Sequence, residues 1–150
     1  MSALRELYQQ VILDHNKSPR NFRVMDDATK LVEGYNPLCG DHYTIYVKMS
    51  GEVIDDISFT GAGCAISKAS ASVMSAVLKG RTRAEAQTLF DRFHKLVTGG
   101  FTAGEDPGEL GKLAAFAGVS EFPARVKCAS LAWHTLHAAL DGETTSISTE

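Results

Sequence analysis

The chain of 150 residues has little cysteine: Cys39, Cys64 and Cys128 only, with no Cys-x-x-Cys pair. An odd, scattered set of this kind is not a disulfide framework. No apolar run approaches the ~18 residues that would span a bilayer. Basic residues are not in excess, since the net charge is −3, so there is no electrostatic footprint for nucleic acid. The start, MSALRELYQQVILDHNK, carries Arg5 and Glu6 where a secretory signal would have to be apolar. A cytoplasmic protein with no membrane segment is expected. Repeats and low-complexity tracts are also missing. What remains is an ordinary soluble composition, long enough to bury one core.

Residues 2–16 read as an amphipathic helix, with Leu4, Leu7, Tyr8, Val11 and Ile12 on one face and Ser2 as N-cap. HYTIYVKM alternates apolar and polar residues, and EVIDDISFTG does so less cleanly, with Val53, Ile57 and Phe59 on one face; a turn at Ser50 and Gly51 joins them as a hairpin. KLVEGYN offers a third strand. From GAGC onward the period becomes helical, with Ile66, Ala69, Val73 and Val77 as a stripe and Gly80 as the stop. TRAE is a capping box, Thr82 to Glu85, opening a helix with Ala86, Leu89, Phe90, Phe93, Leu96 and Val97 inward. FTAGEDPGEL reads as a loop and Leu110–Ala117 as a short helix. Pro123 opens the last helix, whose stripe is Val126, Ala129, Trp133, Leu136 and Leu140. Strands early and helices late predict an α+β fold: a small antiparallel β-sheet with helices packed on one face. The domain is expected to span 1–140, with a disordered tail over 141–150.

Each cysteine falls at an element boundary: Cys39 before a strand, Cys64 at a helix start, Cys128 in the opening turns of the last helix. Helix starts favour thiolates, which are both metal ligands and nucleophiles. Cys128 lies well over 100° from the centre of its helix's apolar stripe, which points it to a site at the helix end rather than into packing. Asp41 sits two residues after Cys39, with Gly40 between them. Three thiolates and a carboxylate make the tetrahedral count for zinc, and the same soft sulfurs suit an iron–sulfur cluster. Against this stands the plainer reading of small buried thiols and a surface aspartate.

Three blocks in order, NPLCGD, FTGAGCAISKASASVM and RVKCASLAW, resemble the SufU branch of the IscU/NifU-N family of iron–sulfur assembly proteins. The resemblance runs from LYQQVILDHNKSPRN to Trp133. It implies the same α+β fold, with the cysteines meeting at one end, and a metal set of Cys39, Asp41, Cys64 and Cys128. Three departures from the scaffold branch point to SufU. Lys127 stands where scaffolds have a histidine before the last cysteine. EFPARVK does not match their proline-rich chaperone-binding stretch. The 63 residues between Cys64 and Cys128 exceed the scaffold spacing by about one helix–loop unit, which the helix from Thr82 fits.

The SufU branch implies one zinc ion and a zinc-dependent sulfur acceptor. Its partners would be a PLP-dependent, SufS-like cysteine desulfurase, which it activates, and downstream iron–sulfur assembly proteins. Cys39, on the loop before its strand, is the expected acceptor, with Cys128 the alternative. Two other functions stay open: a scaffold on which iron–sulfur clusters are built, and a non-catalytic protein with structural zinc and an interaction surface. His42, His94, His134 and His137 read as surface or core-edge residues, and Trp133 as core.

Overall fold

The computed structural model describes residues 3–37, 40–100, 107–140 and 147–148. Cys39 lies outside them. So do residues 101–106 of the expected loop and the Ser2 cap.

Strands β1 (Lys30–Asn36), β2 (Asp41–Ser50) and β3 (Val53–Ala62) form an antiparallel meander. A two-residue β4 (Ile147–Ser148) pairs parallel to β1 at Gly34 and Tyr35, giving the order β3-β2-β1-β4. Those two residues are the described part of the 141–150 tail. The helices are α1 (Ala3–Lys17), α2 (Ala65–Leu78), α3 (Arg83–Val97) and α4 (Pro123–Leu140), with a 3-10 segment over Pro107–Glu121 broken at Gly111. The expected α-helical turn at 110–117 belongs to that 3-10 segment.

One sheet face, with Val32, Tyr43, Ile45, Val47, Ile57 and Phe59, is buried against the helices. The other carries Leu31, Glu33, Tyr35 and His42, all exposed. Such alternation follows from the strand period of two when only one face meets the core. The uneven alternation of β3 has a cause: Lys48 pairs with Asp56 and Met49 with Ile54, so Asp55 is an extra residue in a bulge. The bulge turns Ile54 inward with Ile57 and leaves Val53 exposed, contrary to the inward place expected for Val53.

The α2 stripe also differs from expectation. Ile66 and Val77 are half-buried, while Ser67, Ser70, Ser72 and Ser75 are inside. Serine is small enough for helices to approach closely, and its hydroxyl brings its own partners: Ser70 Oγ donates to the Ala129 carbonyl at 2.6 Å, and Ser75 Oγ to Ser72 O at 2.8 Å. From Cys128 onward α4 is buried nearly all round, with His134 and His137 half-buried. It is the central helix rather than an amphipathic one. Trp133 stacks on Phe93 with ring centroids 4.7 Å apart, and Phe116 meets Phe93 edge-on. The Thr82–Glu85 capping box opens α3 as expected.

Candidate metal centre

The β1–β2 hairpin and the starts of α2 and α4 converge at one end of the sheet. Asn36 ends β1 and Asp41 begins β2, and the two are cross-strand partners. The short connection between them closes with Gly40 N–H donating to Asn36 O at 2.9 Å. Both side chains point to the helix side and are buried, each 1% exposed.

Cys64 is the N-cap of α2. Its backbone is extended (φ −71, ψ 169), and its Sγ accepts the Ser67 N–H at 3.4 Å. A sulfur here takes the place of the usual serine or aspartate oxygen and sits in the field of the helix start. The Cys64 N–H in turn donates to Asp41 Oδ1 at 2.8 Å. The carboxylate at the start of β2 is thereby tied to the start of α2.

Glycines in GAGC make this junction possible. A Cβ on Gly61 would run into the His42 backbone, where φ is also +134. A Cβ on Gly63 would lie 2.5 Å from Asp41 Oδ1, 2.6 Å from Ser67 Oγ and 2.7 Å from the Tyr43 hydroxyl.

Cys128, in the second turn of α4, is fully buried. Its Sγ donates toward Ala124 O at 3.6 Å and receives Asn36 Nδ2–H at 3.7 Å. It therefore faces the site, as its position off the stripe implies. The core surrounds it nonetheless, and it is a turn too deep for the unpaired N–H groups of the helix start.

Asp41, Cys64 and Cys128 bring one ligand atom each to within 4.8 Å of one another. Two ligands of one zinc lie at most ~4.6 Å apart, given bonds of ~2.0–2.3 Å, so small side-chain shifts suffice. The charge argument points the same way. Asp41 Oδ2 is buried with no hydrogen-bond partner among the described residues. Half a carboxylate left bare beside two thiols is costly unless a cation compensates it. The donor set of sulfur plus one carboxylate suits zinc or iron rather than magnesium or calcium. Cys39, the fourth expected ligand, lies outside the described residues.

Three residues of the site were not singled out from the sequence. Asn36 shares the inward face of β1 with Val32 and Gly34, where a buried amide is the signal. Tyr43 follows Asp41 by two on β2, so it points the same way. Ser67 stands three after Cys64, the spacing of a cap. Burial raises the Tyr43 hydroxyl's pKa; the hydrogen bond to Ser67 opposes this, and Asp41, Cys64 and Cys128 each add a smaller upward push. Tyr43 therefore stays a neutral donor.

The histidines stay away from the site. His42 is exposed on the opposite sheet face, 3.1 Å from Glu33. His94, His134 and His137 surround Phe90 at the α3–α4 edge. Burial, then the neighbouring His94 and His137, lowers the His134 pKa. Lys127 is half-buried beside Cys128. Among the described residues no helix is long and apolar enough to cross a membrane.

Known proteins resemble this chain in sequence and fold. The profile of the NifU-like N-terminal domain matches residues 7–141. The zinc-dependent sulfurtransferase SufU of Bacillus subtilis is 41% identical over 140 residues, 93% of each chain. The iron–sulfur cluster assembly scaffold protein IscU of Streptococcus pyogenes is 40% identical over 93% of this chain and 86% of its own. The crystal structure of FiSufU of Fervidobacterium islandicum AW-1, described as an iron–sulfur cluster assembly scaffold protein for the SUF system, superposes with a TM-score of 0.81 at 36% identity, covering 91% of this chain and 98% of that one.

Proposed function

Because the chain belongs to the NifU-like N-terminal domain family, and so to the proteins of iron–sulfur cluster assembly, we propose that it is a zinc-dependent sulfur acceptor that takes persulfide sulfur from a cysteine desulfurase and stimulates that enzyme. The observation that carries the reading is the cluster of Asp41, Cys64 and Cys128, with its bare, buried carboxylate oxygen. The likeness to a zinc-dependent sulfurtransferase over 93% of the chain supports it.

Cys39, Asp41, Cys64 and Cys128 would hold the ion. Zinc, when bound, supplies the positive charge that keeps the thiols ionised near neutral pH. Asp41 contributes the one oxygen ligand, already oriented by the Cys64 N–H.

Cys39 is the acceptor in this proposal. Cys128 is fully buried, and Cys64 is held as a helix cap, so neither presents a free nucleophile. Cys39 stands two residues before Asp41, and two residues span at most ~7 Å, which keeps it within reach of the site. Its thiolate bonds to the outer sulfur of the partner's persulfide. The bond between the partner's two sulfurs breaks, and the electron pair leaves on the partner's cysteine thiolate. One sulfur atom changes hands, and no oxidant or reductant is consumed.

The test is incubation of the zinc-loaded chain with a cysteine desulfurase and free cysteine, followed by mass mapping. One added sulfur on Cys39, lost in Cys39→Ser together with stimulation of the desulfurase, is the expected result. No added sulfur and no stimulation would refute the reading and favour a non-catalytic role.

The scaffold reading has its own support, since the S. pyogenes relative is named as a scaffold. Anaerobic reconstitution with iron and sulfide separates the two. The proposal expects a labile cluster at most and retention of zinc. It also expects Lys127→His to shift the metal shell toward the scaffold pattern. A wild type that keeps a stoichiometric cluster through desalting and passes it to an apo-ferredoxin would establish the scaffold.

A further inference from the structure

We infer that Tyr43 and Ser67 are positioning residues that hold Cys64 in place as a ligand of the metal set. The inference rests on the zinc reading above but not on sulfur transfer.

The geometry is a chain of hydrogen bonds that ends on Cys64 from several directions. Ser67 Oγ–H donates to the Cys64 carbonyl at 3.1 Å, and Ser67 N–H donates to Cys64 Sγ at 3.4 Å. One serine thus fixes both the backbone and the sulfur of the same residue. Ser67 Oγ also lies 3.0 Å from the Tyr43 hydroxyl, where either oxygen can donate, and 3.7 Å from Cys64 Sγ. Tyr43 is fully buried, and its ring is wedged edge-on against Phe59 with centroids 5.9 Å apart. Its hydroxyl therefore cannot swing away without disturbing the core. Asp41 Oδ1 closes the ring of contacts by accepting the Cys64 N–H. All three polar groups converge on the bare Cα of Gly63, where no side chain could fit without displacing them.

Cys128 is fully buried, and its sulfur lies 3.6 Å from Ala124 O and 3.7 Å from Asn36 Nδ2, contacts of a different kind from those at Cys64. The two described cysteines are thus kept in place by different means, which gives the test its internal control. Loss of the polar cradle should free Cys64 alone. General loosening of the fold should free both.

The experiment compares the zinc-loaded wild type with Tyr43→Phe and Ser67→Ala. Tyr43→Phe keeps the ring in the core and removes only the hydroxyl. Zinc release to a chromogenic chelator is followed, with site-resolved alkylation by mass spectrometry in parallel. Groups that orient a metal ligand change metal affinity by about 10- to 100-fold. Release about tenfold faster in both variants is expected. Modification of Cys64 relative to Cys128 should rise, with the metal-free melting temperature nearly unchanged in Tyr43→Phe and lowered by a few degrees in Ser67→Ala. Unchanged release would overturn the inference while leaving the zinc site standing. Parallel labelling of Cys64 and Cys128 with a lowered metal-free melting temperature would overturn it too, by showing a merely structural role. A wild type that holds no zinc would overturn the zinc reading, and this inference with it.

Discussion

Helix α2 carries two buried polar clusters, and they solve the same problem differently. At its start, Cys64 and Ser67 meet Asp41, Tyr43 and Cys128. At its middle, Ser72 and Ser75 meet the end of α1 and the segment after it. There Ser72 Oγ lies 2.7 Å from His15 Nδ1 and accepts Arg20 N–H at 2.8 Å, while Asn21 Nδ2 donates to Ser75 Oγ at 3.0 Å. Each cluster leaves one buried atom bare, Asp41 Oδ2 in the first and His15 Nε2 in the second. The first collects one carboxylate and two thiols, a donor set suited to a cation. The second stays neutral, because burial and the charges of Arg20 and Lys112 lower the His15 pKa to about 4, with Asp14 opposing. Buried polarity alone therefore does not mark a functional site. Its uncompensated charge does.

Metal removal tests this contrast with the largest effect. Ligand binding stabilises by about 4 kcal/mol when free zinc exceeds its Kd a thousandfold. For a domain of this length that is about 10 °C in melting temperature. Calorimetry of zinc-loaded and chelated protein should show this loss, with amide exchange rising at the β1–β2 connection and the start of α2 before the α1–α2 contact. Equal melting temperatures would break the claim that the first cluster needs a cation.

Acid should act on the second cluster, and the sign follows from the direction of the shift. The folded protein holds His15 neutral to about pH 4, whereas an unfolded histidine takes a proton near 6.5. The stabilisation is complete above pH 6.5 and is lost progressively as pH falls toward 4, by roughly 3 kcal/mol at most. His134, also shifted down by burial, adds to the same slope. Asp14, Asp27, Asp56 and Glu85 are lowered as well, but their contributions disappear only below the carboxylate range. Denaturation of metal-free protein between pH 7 and 5 should therefore show falling stability, with a shallower slope in His15→Gln. An identical slope in the variant would remove His15 from the account.

The same contrast explains what the sequence could and could not reveal. Asp41, Cys64 and Cys128 stood out because each lies in a block that resembles a family, NPLCGD, FTGAGCAISKASASVM or RVKCASLAW, and the structure brings the three together. The sheet was legible from its period of two, including KLVEGYN as β1. His15 was not, because its burial depends on α1 lying against Ser72, 57 positions away in sequence. The inward serines of α2 had no place in the stripe expected there, since no local pattern tells a hydroxyl that caps a carbonyl inside from one that meets water. The stripe argument for α4 missed that the helix is buried nearly all round from Cys128 onward. The bulge at Asp55 was present in EVIDDISFTG as a broken alternation, a signal that has meaning only once the partner strand fixes the register.

The smallest effect is also the sharpest comparison, because it makes one substitution twice on one helix. Ser67 and Ser72 are both buried, and α2 carries them five positions apart. Alanine is a better helix former than serine, so any cost must come from lost partners. Ser72→Ala leaves the Arg20 N–H and His15 Nδ1 without the hydroxyl that serves both. That should cost about 1–3 kcal/mol of stability, equally in the presence and absence of zinc, and leave zinc release unchanged. Ser67→Ala retains its own N–H to Cys64 Sγ and removes the hydroxyl contacts with Tyr43 and the Cys64 carbonyl. Its cost in the metal-free protein should be similar, about 1–3 kcal/mol, because the buried Tyr43 hydroxyl loses its partner. Its effect should be larger in the zinc form. Urea denaturation of both variants with and without zinc gives four differences from wild type. If the two serines respond alike to zinc, the division of α2 into a charged site and a neutral strut is wrong.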